Sequence, residues 1–352
     1  MDGKKTHIDQ RRQGFLSLRA TVKERSNLII QAKIASSPVA PRNDICLQLV
    51  LLRREYAEGE DMSTAVSFKH YYANLKDVRL HYVTLGQGTP VVLLHGWPQT
   101  WYEWRLVMPL LADQFCLIAP DLRGLGASSR PIGGYDKKTV AHDIWQLMHD
   151  HLKHERFAVV GHDVGAVVAF RLAADHVEAV SHLVLLDVPV IGLQTEALGG
   201  LTPPGRMPRW HHLFHQVPDL PEALTFGRER IYLEWFFNWG TDQAGVFSEA
   251  DVSEYVRAYA QAGAMRAGFN MYRALGQDIA DNQATFATGF KLPMPTLGLG
   301  GGGSRGRGNL VVESLKRAAS HAEGGSIADC GHFIPEEKPQ ELAEQLRSFL
   351  KK

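Results

Sequence analysis

Phe157-Ala158-Val159-Val160-Gly161-His162-Asp163-Val164-Gly165-Ala166-Val167-Val168-Ala169-Phe170 decides the fold of this 352-residue chain. An apolar run of strand length stops at Gly161, and an apolar helical pattern opens at Val164. Gly161-His162-Asp163-Val164-Gly165 therefore reads as a strand–turn–helix with one reactive side chain at its tip. The flanking glycines suit a turn too tight for a Cβ on either side. The pattern is that of a nucleophile elbow, with Asp where a serine is more usual. With 33 glycines in the chain, the same spacing also arises by chance. Asp163 would then be no more than a cap on the helix that follows. The remaining reactive residues fall where an elbow requires them, which favours the first reading.

Outward from this stretch, strands and helices alternate. Strands are predicted at 78–85, 90–94, 115–120, 157–161, 182–186, 295–299 and 326–328. Helices are predicted at 104–111, 140–152, 164–174, 311–321 and 339–350. Such alternation implies a mostly parallel sheet covered on both faces, with its site at the C-terminal strand ends. Between about 200 and 288 no strand pattern occurs, only aromatic and amphipathic helical stretches at 229–239 and 249–263. This interval is read as a helical cap inserted between two strands of the sheet.

An Asp nucleophile restricts the chemistry. Its carboxylate attacks saturated carbon to give an alkyl-enzyme ester, which suits epoxides and alkyl halides rather than amides and esters. A base must then direct water at that ester. His332, in Gly331-His332 after the last predicted strand, stands in the right place and is expected to be neutral near pH 7. A third group must orient the imidazole. No Asp or Glu occurs from 291 to 312, so the loop after the penultimate strand cannot supply it. Asp187, at the end of the strand after the elbow, is the alternative. The backbone N–H groups of Trp97 and Val164 are the natural pair to hold the oxyanion. Trp97 equally suits a pocket wall.

With these residues assembled, the chain resembles the epoxide hydrolase and haloalkanoate dehalogenase branch of the α/β-hydrolase fold over about residues 65–351. The resemblance rests on His95-Gly96-Trp97-Pro98-Gln99-Thr100-Trp101-Tyr102-Glu103-Trp104, Pro120-Asp121-Leu122-Arg123-Gly124-Leu125-Gly126, Gly161-His162-Asp163 and Gly331-His332-Phe333-Ile334-Pro335-Glu336-Glu337. Within the branch the chain is most similar to the Cif-type bacterial epoxide hydrolases. Trp210-His211, Tyr272-Arg273-Ala274-Leu275 and the glycine run from Gly300 add to that match. The resemblance implies that His211 and Tyr272 hold the epoxide oxygen, where ordinary epoxide hydrolases use two tyrosines. It also implies a Glu as orienter, of which Asp187 is a shorter variant. Exported members carry a signal peptide, which the first residues here do not resemble.

A haloacetate dehalogenase is the runner-up. Enzymes of that kind place arginines just after the nucleophile and three residues later, to hold the substrate carboxylate. Val164 and Val167 stand there, and a pocket without a cation should bind carboxylates poorly. Haloalkane dehalogenases place a Trp after the nucleophile, which Val164 cannot replace. The histidine sets His149, His151, His154 and His211, His212, His215 lack an acid or Cys to complete a metal site, so no metal is expected. Gly298-x-Gly300-x-x-Gly303 mimics a dinucleotide fingerprint but lies outside a nucleotide-binding half. It is read as a flexible loop near the site, and no cofactor is expected. A binding protein without activity would be expected to lack one of Asp163, Asp187 and His332.

Composition agrees with an enzyme acting on a small molecule and water. Lys and Arg total 38 against 38 Asp and Glu, so no long-range field favours nucleic acid or an anionic membrane. No apolar run approaches the roughly 20 residues of a membrane span. Cys46, Cys116 and Cys330 are scattered and form no disulfide framework, so a cytoplasmic setting is the simplest expectation. A homodimer is compatible with the sequence but not specified by it. The expected organisation is a leader at 1–61, a core at 62–200 and 289–352, and the cap at 201–288. The leader lacks strand–helix periodicity and a cleavage site. A chain starting at Met62 is accordingly expected to fold and keep its activity. Insoluble or inactive protein would give the leader a structural role.

Overall fold

The structure, a computed structural model, describes residues 67–193 and 210–352. The expected leader lies outside the described residues. Eight strands form one sheet: β1 Lys69–Asn74, β2 Arg79–Leu85, β3 Thr89–Leu94, β4 Phe115–Pro120, β5 Phe157–His162, β6 Val180–Leu186, β7 Thr296–Gly301 and β8 Ala322–Ile327. They lie in the order β1-β2-β4-β3-β5-β6-β7-β8. The pairings of β1 with β2 and of β2 with β4 are antiparallel, and the other five are parallel.

The central strands are apolar on both faces because both faces are covered. On β3, Val92 and Leu94 join one core, while Val91 and Leu93 join the other. On β5, Phe157 and Val159 face the first core, and Ala158 and Val160 the second. This two-sided burial makes the central strands legible as continuous apolar runs. The sheet edges carry no such signal. β1, Lys-His-Tyr-Tyr-Ala-Asn, is exposed at five of six positions and was not predicted. β8 begins four residues before its predicted start, because Ala322-Glu-Gly-Gly-Ser faces largely outward. The predicted helix 104–111 is a 3₁₀ turn, Trp101–Leu106, followed by Met108–Leu111. The predicted helix 140–152 is an α-helix, Lys137–Trp145, that continues into a π-helical turn, Gln146–His151.

Between β6 and β7 the described residues form helices alone: Trp210–Gln216, Leu220–Thr225, Glu229–Gly240, Glu249–Tyr259, Ala264–Arg273 and Leu275–Ala287. These helices reach the strand ends directly. The Tyr259 hydroxyl donates to the Gln99 carbonyl at 3.0 Å, and Lys137 pairs with Asp278 at 2.7 Å. Among the described residues no helix is long and apolar enough to cross a membrane.

The elbow requires its glycines. Asp163 has a φ of 49° at the junction of β5 with helix Val164–Asp175. A Cβ on Gly161 would lie 2.2 Å from the Gly165 carbonyl oxygen, and one on Gly165 would lie 2.2 Å from that of Leu94. Both obstacles are backbone, so neither yields by a rotamer change. Gly165→Ala should therefore destabilise the fold by about 1–3 kcal/mol or more. The check is a urea titration, in which an unchanged midpoint would contradict this close approach.

Candidate active site

Asp163 stands where β5 turns into helix Val164–Asp175, at the C-terminal edge of the sheet. One carboxylate oxygen accepts the Trp97 backbone N–H at 3.0 Å. The other lies 3.4 Å from His332 Nε2. Burial works against ionisation here. The hydrogen bond and charge of His332, with His162 and the Trp97 N–H, outweigh it and hold the acid well below the usual carboxylate range. These partners favour the carboxylate form of Asp163. Gly96 is forced to be small by this arrangement, since its Cβ would come within 2.6 Å of Asp163 Cβ.

Asp187 ends β6 with a φ of 52° and is fully buried. One oxygen meets His332 Nδ1 at 2.7 Å. The other accepts the backbone N–H of Gly301 at 2.9 Å and that of Arg307 at 2.7 Å. The end of β7 has no room for an acid, because a Cβ on Gly301 would lie 1.8 Å from the Gly331 carbonyl oxygen. That contact explains why the carboxylate comes from β6.

The loop carrying His332 is fixed on several sides. Its N–H donates to Gly240 O at 2.7 Å, and its carbonyl lies 2.8 Å from His162 Nε2. Glu337 accepts from Gly331 N–H at 2.9 Å and from Phe333 N–H at 3.1 Å. In the free protein the ring of His332 lies between two carboxylates. Burial favours the neutral ring, but hydrogen bonds and charges from Asp163 and Asp187 prevail and push its pKa up to about 10. This placement favours the protonated ring while both carboxylates are charged.

A cavity of about 120 Å³ opens beside Asp163 and His332. His211 and Tyr272, from two helices of the insert, line it with their ring centroids 5.8 Å apart. Burial holds His211 well below its ordinary value, with His212 and His215 adding to the effect, so it is neutral. Burial likewise raises the Tyr272 phenol, which keeps its proton. Val164 lines the cavity beside Asp163, and the Trp97 ring packs against Tyr272 at 5.6 Å between centroids. The sequence reading of a pocket without a cation is corrected. Lys137, Arg305 and Arg307 all line it. Lys137 is matched by Asp278 at 2.7 Å.

The reading of a flexible glycine loop is corrected as well. Beyond its two bonds to Asp187, Gly303 N–H donates to Cys330 O at 2.9 Å, and Ser304 Oγ to Asp242 at 2.8 Å. Gly308 N–H closes the loop onto Gly301 O at 2.9 Å. Sequence reasoning also passed over Glu103. This buried acid accepts the Gly96 N–H at 2.9 Å and lies 3.2 Å from His162 Nδ1. A Glu at the centre of an aromatic segment was the available signal. Among the described residues no group of three or more His, Cys, Asp and Glu is placed to hold a metal.

Comparison with known proteins agrees with this architecture. The α/β hydrolase fold family model matches residues 89–339. A soluble epoxide hydrolase of Corynebacterium sp. strain C12 is 40% identical over 294 residues, covering 82% of this chain and 98% of the relative. A fluoroacetate dehalogenase of Burkholderia is 30% identical over 80% of this chain and 94% of its own. The crystal structure of Cfl2 from Burkholderia cenocepacia superposes with a TM-score of 0.76 at 43% identity, covering 80% of this chain and 95% of that one. With most of its length matched and a sheet of the same kind, this chain belongs to the α/β hydrolase fold family.

Proposed function

We propose that this chain is an epoxide hydrolase that opens an epoxide to a vicinal diol through an ester on Asp163. The observation that carries this reading is the cavity itself. A carboxylate faces two neutral hydrogen-bond donors, His211 and Tyr272, across a space with His332 at its side. An epoxide needs such an arrangement: a nucleophile at carbon and donors at the ring oxygen. The 40% identity to a soluble epoxide hydrolase supports the same choice. The helices between β6 and β7 act as the cap that brings both donors over the strand ends.

In the first step Asp163 attacks a ring carbon. The ring C–O bond breaks, and its electron pair goes to the oxygen. Tyr272 protonates that oxygen while His211 donates a second hydrogen bond. Forming the ester removes the charge of Asp163, and with it part of what keeps His332 cationic. His332 then releases its proton, which restores Tyr272. In the second step neutral His332, oriented by Asp187, takes a proton from water as that water attacks the ester carbonyl. The N–H groups of Trp97 and Val164 hold the oxyanion. The leaving diol oxygen takes the second proton of the water. Asp163 returns as carboxylate and His332 as cation. No step calls for a cofactor.

A dehalogenase would use the same nucleophile, and one relative bears that name. Here Val164 and Val167 stand on the cavity wall at the two places where the dehalogenase pattern has arginines. Neutral donors beside the nucleophile suit an epoxide oxygen.

The ester makes the proposal testable. His332→Gln removes the base and spares the nucleophile, so an enzyme–substrate adduct should accumulate at Asp163 and appear in the intact mass. A single turnover in heavy-oxygen water should label Asp163 rather than the diol. Heavy oxygen passing straight into the diol, with no adduct in the variant, would replace the nucleophile by a general base.

The two steps should also titrate in opposite directions. Ester formation draws on cationic His332 and should decline as pH rises through about 10. Ester hydrolysis needs the neutral ring after Asp163 has lost its charge, so it should increase with pH around a midpoint well below that value. Stopped-flow measurement of both phases decides this, and one shared titration would contradict the switch.

A further inference from the structure

Arg305 and Arg307 have no part in the steps above, yet both line the cavity. Their side chains are half-buried. Among the described residues neither guanidinium has a carboxylate partner. Much of the remaining wall is apolar, including Val167, Val188, Ile191, Met271 and Leu275. Two like charges beside such a wall give that part of the cavity an anion-attracting character. The other charges in the cavity are already matched. Lys137 pairs with Asp278, and His332 lies between Asp163 and Asp187.

The arginines are also held in place. The Arg307 N–H is fixed on Asp187 at 2.7 Å, and Gly306 packs against Gly301 so closely that a Cβ would lie 2.1 Å from its carbonyl oxygen. A guanidinium on an anchored loop loses less freedom when it binds. Arg307 is near enough to His211 for its charge to disfavour protonation of that imidazole. Both residues line the same cavity.

We propose that Arg305 and Arg307 form a carboxylate subsite, so that the substrate is an epoxide that also carries a carboxylate. This rests on the hydrolase reading above. A guanidinium meets a carboxylate with two parallel N–H···O bonds, and an ester or amide in the same place offers only a neutral acceptor. The subsite supplies by a different route the cations that Val164 and Val167 do not provide.

The test compares matched acids and esters on the full chain: glycidate with methyl glycidate, and terminal epoxyundecanoate with its methyl ester. Styrene oxide serves as the neutral reference. The unchanged protein should prefer at least one acid over its ester in kcat/KM, and added salt should erode that preference. Arg305→Gln and Arg307→Gln should each lower the acid-to-ester ratio by about ten- to a hundredfold. Arg307→Lys, which keeps the charge but loses the paired bonds, should retain part of it. Because the readout is a ratio, a general loss of turnover does not imitate the effect. Turnover of styrene oxide with no preference for either acid would overturn the subsite and leave the hydrolase reading standing. A preference unmoved by both glutamine variants would do the same. If no epoxide is opened at all, the hydrolase reading falls and the proposal falls with it.

Discussion

His332 sits with Nδ1 2.7 Å from Asp187 and Nε2 3.4 Å from Asp163, and much of the structure serves to keep it there. Three oxygen atoms hold its loop: Gly240 O and both carboxylate oxygens of Glu337. The contact from Gly240 comes from the helical insert, so the insert helps to place the ring as well as facing it. Behind the ring, His162 and Glu103 connect the elbow to the β3 loop through Gly96. The ionic state of the site follows from these distances. A protonated ring between two acids favours the carboxylate form of Asp163 despite burial, and loss of either charge changes the proton affinity of the ring.

The fold was legible where burial is two-sided. β3, β4 and β5 give continuous apolar runs because helices cover both their faces. β1 and β8 pair on one side only and face water, so their sequences carry no such run. The elbow was legible because a steric constraint, not a preference, fixes Gly161 and Gly165. Asp187 could be reached by elimination, since 291–312 holds no acid, and the crowding at Gly301 supplies the physical reason.

What the sequence did not disclose depends on distances between segments far apart in the chain. The proton on His332 depends on two carboxylates 145 and 169 residues before it (332 − 187 and 332 − 163). No periodicity reports on that. His211 and Tyr272 came from resemblance alone, because a His and a Tyr on amphipathic helices most often pack into a core. The glycine loop misled in the opposite direction. Six glycines among residues 298–306 read as freedom, yet several of them are small because backbone passes close by. Gly301, Gly303 and Gly306 each face a carbonyl or carboxylate oxygen at distances that forbid a side chain.

That loop and His332 are tied together through one carboxylate. Asp187 spends one oxygen on His332 and the other on Gly301 and Arg307. The hydrogen bonds to His332 and to the loop therefore meet on a single rigid group, fully buried and without slack. Shortening the orienter from Glu to Asp would draw the loop in by about one methylene, roughly 1.5 Å of chain. The loop can follow only if its backbone packs without side chains, as it does at Gly301 and Gly306. A short orienter and a glycine-rich arginine loop are on this account one adaptation. In the proposed mechanism, the acid that orients the imidazole is the same acid that holds the backbone of Arg307 at the cavity.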